Sequence, residues 1–282
     1  MKALANGQHS LHVLSRHAGT NLPGGVRLSV WDPPKGEPPA ESLRDADAVI
    51  HLAGEPVAQR WSKEVKQRIR ESRVAGTRNL VQALARLPQR PQTLVCASAV
   101  GYYGSRGDET LTESSAPGSG FLAEVCQAWE REAQTAESLG MRVVEVRTGL
   151  VLDSRGGALP RMLPPFRMGV GGKLGDGRQW MPWIHVQDLV GLYQFALAQP
   201  LKGPLNGVAP NPVVNAEFTK TLAGALKRPA LFPMPGFALR TLFGEMADIL
   251  LASQRVVPQA AEAAGFRFLF PQLGPALADA LK

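Results

Sequence analysis

The sequence is poor in cysteine, modest in aromatic residues and without a long apolar run, and each shortage excludes a class of protein. There are two cysteines in 282 residues, Cys96 and Cys126. Both sit in apolar surroundings without a partner spacing, so neither a disulfide framework nor a metal site is indicated. No apolar stretch approaches the ~18 residues a membrane span requires, and no secretory leader is seen. A cytoplasmic protein with no membrane partner is the default expectation. The net charge of +7 comes from basic residues scattered singly, with no stripe of interleaved aromatics. That reads as a mildly basic surface rather than a nucleic-acid interface. Internal repeats and low-complexity tracts are also missing. What remains is an ordinary globular composition, long enough for one large domain or two smaller ones.

Through the first half, apolar runs alternate with helical patterns. Strands are expected at "LHVLS" (11–15), "VRLSVW" (26–31), "AVIHLAG" (48–54), "QTLVCASAV" (92–100) and "MRVVEVRTG" (141–149). The spacing predicts a helix over 62–87 and another beginning "FLAEVCQAWE" and ending at Gly140. Continuous apolar strands alternating with helices mark a parallel sheet buried on both faces. After residue 150 the texture becomes dense in Gly, Pro, Arg and Trp. A helix follows at about 187–198, then a short strand around "LNGVA", a helix around 215–227 and a proline-punctuated tail. The expected fold class is α/β, a Rossmann-type doubly wound parallel sheet with a smaller C-terminal substrate-side lobe. The nucleotide-binding domain takes 1–150 and the lobe 151–282, part of its last segment (about 228–282) returning to the sheet.

Candidate site residues follow from strand ends. Ser15 and Arg16 close the first strand, where a dinucleotide-binding sheet faces the adenosine ribose, and an arginine there suits a 2′-phosphate. Ala53 and Gly54 are small enough for a ligand to approach the backbone at the carboxyl edge of the sheet. Ser98 ends a strand beside a glycine-containing loop. His185 is a candidate acid/base, with a structural hydrogen bonder as the plainer reading, and Asp188 reads as a helix cap or first-turn acid.

The blocks "HLAGEPVAQRW", "SRVAGTRNLVQAL", "ASAVGYYG" (97–104), "VRTGLVLDSRGGALPRMLPPFRMGVGGKLGDGRQWMPWIHVQDL" and "FGEMADILLASQRVVPQAAEAAGFRFLFPQLGPALADAL" together resemble the atypical, extended-type short-chain dehydrogenases called epimerase family proteins. The resemblance spans nearly the whole chain. It implies a Rossmann domain binding NADP, with Ser15 and Arg16 at the adenosine phosphate, Leu52 and Ala53 at the adenine–ribose region, Arg73 nearby and Val151 near the nicotinamide. The wider superfamily moves protons with a Tyr-x-x-x-Lys pair, and this chain has none: the matching helix starts with Phe121 and carries no lysine. Ser98, Tyr102 and Glu124 are then the polar groups expected nearest the nicotinamide. Arg147, Arg161 and Arg178 are candidate clamps for an anionic small-molecule substrate, with His185 on the same side. The implied activity is an NADP-dependent oxidoreductase or epimerase; a non-catalytic NADP-binding redox sensor is the alternative.

The opening "MKALANGQ" reads as a helix tail ending at Gly7, which is the middle of a βαβ unit. The family's first strand and Gly-x-x-Gly-x-x-Gly turn are not found before residue 20, so Met1 is expected to be an internal methionine. A missing central strand would separate "LHVLS" from "AVIHL" by roughly 10 Å and weaken cofactor binding.

Overall fold

The computed structural model describes residues 3–5, 9–19 and 22–282. The helix tail expected to end at Gly7 rests on Met1, Lys2 and residues 6–8, which lie outside the described residues. Beyond it, each apolar run forms a strand: β1 (His12–Ser15), β2 (Arg27–Val30), β3 (Ala48–His51) and β4 (Thr93–Ala99). After the short β5 (Thr110–Leu111) comes β6 (Arg142–Thr148). Between them lie α1 (Lys63–Ala85) and α2 (Phe121–Gln134). Ser62 starts α1, its hydroxyl accepting the Val65 N–H at 3.3 Å with Glu64 in the first turn, as the helix's free amides and positive end favour.

Alternate residues of β4 and β6 show why these strands are apolar throughout. Leu94, Cys96 and Val143 pack on one face with Leu80 and Leu84 of α1 and Trp129 and Ala133 of α2. Val95, Val144 and Val146 pack on the other with Leu192 and Ala196 of a later helix. Each fully buried aliphatic side chain contributes roughly 1.5–3 kcal/mol over leaving it exposed, so both faces are strongly specified. In the second half, β7 (Leu150–Leu152) pairs in parallel with β9 (Trp183–His185), and β8 (Trp180–Met181) pairs antiparallel with β11 (Val213–Val214). The second half also contains the helices α3 (Leu159–Arg167), α4 (Val186–Ala198) and α5 (Asn215–Leu226) and the strand β10 (Gly203–Gly207). Then come α6 (Gly236–Phe243), α7 (Ala247–Leu251), β12 (Arg255–Val256), α8 (Gln259–Ala263) and α9 (Leu273–Ala280). Phe166, Trp183, Phe218, Leu222 and Leu277 form a separate core for this lobe. The tail returns to the first half where β12 pairs with β5, Arg255 opposite Thr110.

The main sheet runs β10-β6-β4-β3, all parallel, and β1 and β2 form a second, two-stranded parallel sheet. Among the described residues no ladder joins β1 to β3. Among the described residues these are two separate parallel sheets, and their carboxyl ends carry the candidate residues.

Candidate functional site

At the end of β3 the chain turns through Leu52, Ala53 and Gly54 into a loop held from below by α1. The Arg73 guanidinium donates to the Glu55 carbonyl at 2.9 Å and to the Ile69 carbonyl at 3.2 Å, and lies 5.2 Å from the ring of Trp129. Burial holds its pKa below the usual arginine value. A methyl group on Gly54 would come within 3.1 Å of the Arg73 guanidinium carbon, so the missing side chain lets loop and arginine pack. The Glu55 N–H donates to the Ser72 hydroxyl at 2.9 Å. With its backbone fixed at both ends, Glu55 aims its carboxylate between two arginines. Arg16 Nη1 is 3.7 Å from one oxygen and Arg68 Nε 3.7 Å from the other. Arg16 follows directly on Ser15 at the end of β1, so this ion pair bridges the two sheets.

At the ends of β4 and β6, Ser98 stands opposite Arg147 in the ladder. Both are buried, and both converge on Glu130 of α2. The Ser98 hydroxyl donates to Glu130 Oε1 at 2.6 Å, while Arg147 donates from Nε to Oε1 at 2.9 Å and from Nη2 to Oε2 at 2.8 Å. Arg147 Nη1 also donates to the Tyr103 hydroxyl at 3.0 Å and the Glu113 carbonyl at 3.2 Å. The Tyr103 hydroxyl in turn donates to Asn206 Oδ1 at 2.7 Å. Burial alone would lower the Arg147 pKa, but its bonds to Glu130 more than offset this and hold the guanidinium charged. Burial pushes the Tyr103 phenol up to about 12, so it stays protonated. Tyr102 is the half-exposed member: its ring covers Arg147, with the guanidinium carbon 3.5 Å from the ring centroid.

Several expected placements change. Arg147 does not reach out as a substrate clamp, because every guanidinium nitrogen is engaged inside the protein. Glu124 sits exposed in the first turn of α2; the carboxylate that meets Ser98 is Glu130. Glu130 belongs to the stripe Ala123, Cys126, Glu130 and Ala133, all buried at helical spacing. An acid in that stripe was the available signal. His185 is closed off as well. It is 1% exposed, its Nδ1 accepts the Gln187 N–H at 3.3 Å, and its Nε2 lies 3.5 Å from Asp279 of α9. Burial keeps it below the usual histidine pKa despite the nearby carboxylates. His185 is thus the cap of α4, whereas Asp188 accepts the N–H groups of Leu269 and Phe270 at 2.7 and 2.9 Å. Arg161 donates to the Ala58 carbonyl from across the mouth between α3 and the 55–61 loop. Arg178 is exposed after a turn in which Asp176 accepts its backbone N–H at 2.9 Å. Val151 lies in β7, three residues past the end of β6.

Arg16 at the end of β1 and Arg68 of α1 both face the Glu55 carboxylate, and these guanidinium groups would meet the 2′-phosphate of a dinucleotide only where that phosphate takes the carboxylate's place. The short side chain of Ala53 fits close approach of an adenosine, whereas the space beside Gly54 is taken by Arg73. Among the described residues no group of three His, Cys, Asp or Glu side chains is arranged to hold a metal ion.

Two family models match the chain: the NAD dependent epimerase/dehydratase family over residues 1–209 and a domain of unknown function, DUF1731, over 234–280. The epimerase family protein Mb2239 of Mycobacterium bovis is 47% identical over 250 residues, covering 88% of this chain and 82% of the relative. The human epimerase family protein SDR39U1 is 38% identical over 277 residues, covering 96% and 91%. A crystal structure of human SDR39U1 (isoform 2) with NADPH aligns with a TM-score of 0.85 at 34% identity, over 99% of this chain and 93% of that one. MoeE5 in complex with UDP-glucuronic acid and NAD shares the fold, with a TM-score of 0.78 at 21% identity over 98% and 91%.

Proposed function

The chain belongs to the NAD-dependent epimerase/dehydratase family, and from that premise we propose that it binds NADP and acts as an oxidoreductase or epimerase on a small, anionic substrate. The observation that carries this reading is the pair Arg16 and Arg68 on the two oxygens of Glu55. Two guanidinium groups that share a carboxylate have the charge to hold a phosphate in its place, with Glu55 moving aside. Leu52, Ala53, Gly54 and Arg73 would shape the adenine–ribose region, and Val151 would lie toward the nicotinamide. NADP, when bound, supplies the hydride acceptor or donor.

The chain's own residues set the rest. The single proton of the Ser98 hydroxyl is engaged by Glu130, so its lone pairs are left to accept a hydrogen bond. Ser98 therefore receives a substrate hydroxyl better than it polarises a carbonyl. Tyr102 is the group able to exchange that proton, with the fixed positive charge of Arg147 against its ring in place of the superfamily's lysine. Arg161 and Arg178 are left to meet the substrate's anionic groups. Titration with NADPH, followed by absorbance assays across nucleotide sugars and small carbonyl compounds, tests the proposal. Binding without turnover of any substrate would favour the second reading, an NADP-binding redox sensor. One observation supports that reading: α2 begins with Phe121 and has no lysine.

A further inference from the structure

Among the described residues ten large apolar side chains are exposed, and seven of them fall within residues 168–170 and 231–242. The fold puts these two segments side by side. The Phe232 N–H donates to the Gly171 carbonyl at 3.2 Å and the Met234 N–H to the Lys173 carbonyl at 2.9 Å, with a parallel bridge from Leu174 to Met234. Leu231 and Phe237 are each 75% exposed, Met168 71% and Phe232 60%. A contiguous apolar face of this kind on a protein surface marks a contact.

Its border is basic. Lys173, Lys220 and Arg228 line a cavity of about 530 Å³ together with Thr219, Leu231 and Pro233, and no carboxylate lines it. Arg167 directly precedes Met168, and Lys227 directly precedes Arg228. Among the described residues Arg167, Lys220, Lys227 and Arg228 make no ion pair, whereas Arg240 is paired with Asp248. Apolar side chains bordered by unpaired cations match the boundary between acyl chains and anionic headgroups. A second copy fits less well, because a twofold contact through this face would bring one basic border against the other with no carboxylate in the cavity lining to offset it. No helix of the described residues is long and apolar enough to cross a membrane, but attachment to a surface does not need one.

We propose that this face seats the protein on a bilayer surface rich in anionic phospholipid. Leu231, Phe232 and Phe237 enter the headgroup boundary, and Lys220 and Arg228 meet lipid phosphates. This departs from the expectation of no membrane partner and stands independently of the cofactor reading.

The test is co-sedimentation of the full chain with vesicles of phosphatidylcholine alone and of phosphatidylcholine mixed with phosphatidylglycerol. Capture is expected on the anionic vesicles, at least about tenfold stronger than on the neutral ones, and weakened by salt. The pairs Phe232→Ser/Phe237→Ser and Lys220→Gln/Arg228→Gln should each reduce it by about tenfold while the melting temperature holds, since these side chains face solvent. No capture, or capture indifferent to both pairs, overturns the proposal. So does a dimer in light scattering that the phenylalanine pair dissociates, which would assign the face to a second copy.

Discussion

The guanidinium of Arg147 lies against the ring of Tyr102, 3.5 Å from its centroid, and is held there by two hydrogen bonds to Glu130. The ion pair is buried, with 4% and 5% of the two side chains exposed. Removing one partner leaves an uncompensated buried charge. Arg147→Met or Glu130→Leu alone should therefore lower unfolding free energy by about 3–5 kcal/mol, and the double variant should recover much of that. Urea denaturation of all four proteins measures it; additive losses would show that the pair is not coupled.

Tyr102 and Ser98 carry the proposed proton transfer. With any substrate the protein turns over, Tyr102→Phe should lower kcat by about 10²-fold or more with little change in KM. Tyr103→Phe removes a hydroxyl that stays inside the protein, bonded to Asn206, and should affect stability more than rate. Steady-state kinetics beside thermal melts separates the two tyrosines.

Stability against pH should reveal two buried groups with opposite effects. Burial pushes the Glu145 carboxyl, fully enclosed in the sheet, up to about 7, with the Glu130 charge adding to the rise. The folded state keeps this proton where the unfolded chain releases it, so Glu145's contribution is full below the ordinary carboxylate pKa and is lost as pH rises to about 7. Burial lowers His51 to about 4. The unfolded chain binds a proton there first, so His51's contribution is full above 6.5 and is lost as pH falls toward 4. Between about pH 4.5 and 6.5 the two slopes offset. Glu145→Gln should make stability rise with pH across that window and add about 3 kcal/mol at pH 8. Chemical denaturation at several pH values checks this, and an unchanged slope would remove Glu145 as the source.

Asp188 anchors the tail. Its carboxylate, 1% exposed, accepts the N–H groups of Leu269 and Phe270. Asp188→Ala leaves both amides without partners at a cost of about 2–5 kcal/mol, and residues 264–272 should become the first site of proteolytic cutting. Limited proteolysis with mass spectrometry reads this directly.

The parallel sheet was legible because β4 and β6 are apolar on both faces, a pattern that only two-sided burial explains. The arginine at the end of β1 was legible too, since strand ends are where this architecture meets ligands. Glu55, Arg68 and Glu130 were not read from the sequence. Each acts through a partner far along the chain, and only the fold brings Arg68 to Glu55 or Arg147 to Glu130. Arg147 was taken for an outward clamp for the same reason: its strand position was evident, but its carboxylate partner on α2 was not. His185 likewise looks like a site residue until the last segment packs over it, while Asp188 is the first-turn acid its position suggested, with the Leu269 and Phe270 amides as partners that the sequence did not reveal.

The most direct test is a titration of the chain with NADPH and NADH, alongside Arg16→Gln and Arg68→Gln. The account predicts that NADPH binds more tightly than NADH and that each substitution weakens NADPH by about tenfold while leaving NADH nearly unchanged. Equal affinity for the two cofactors, or an equal loss of both in the variants, would contradict the assignment of this arginine pair to a 2′-phosphate.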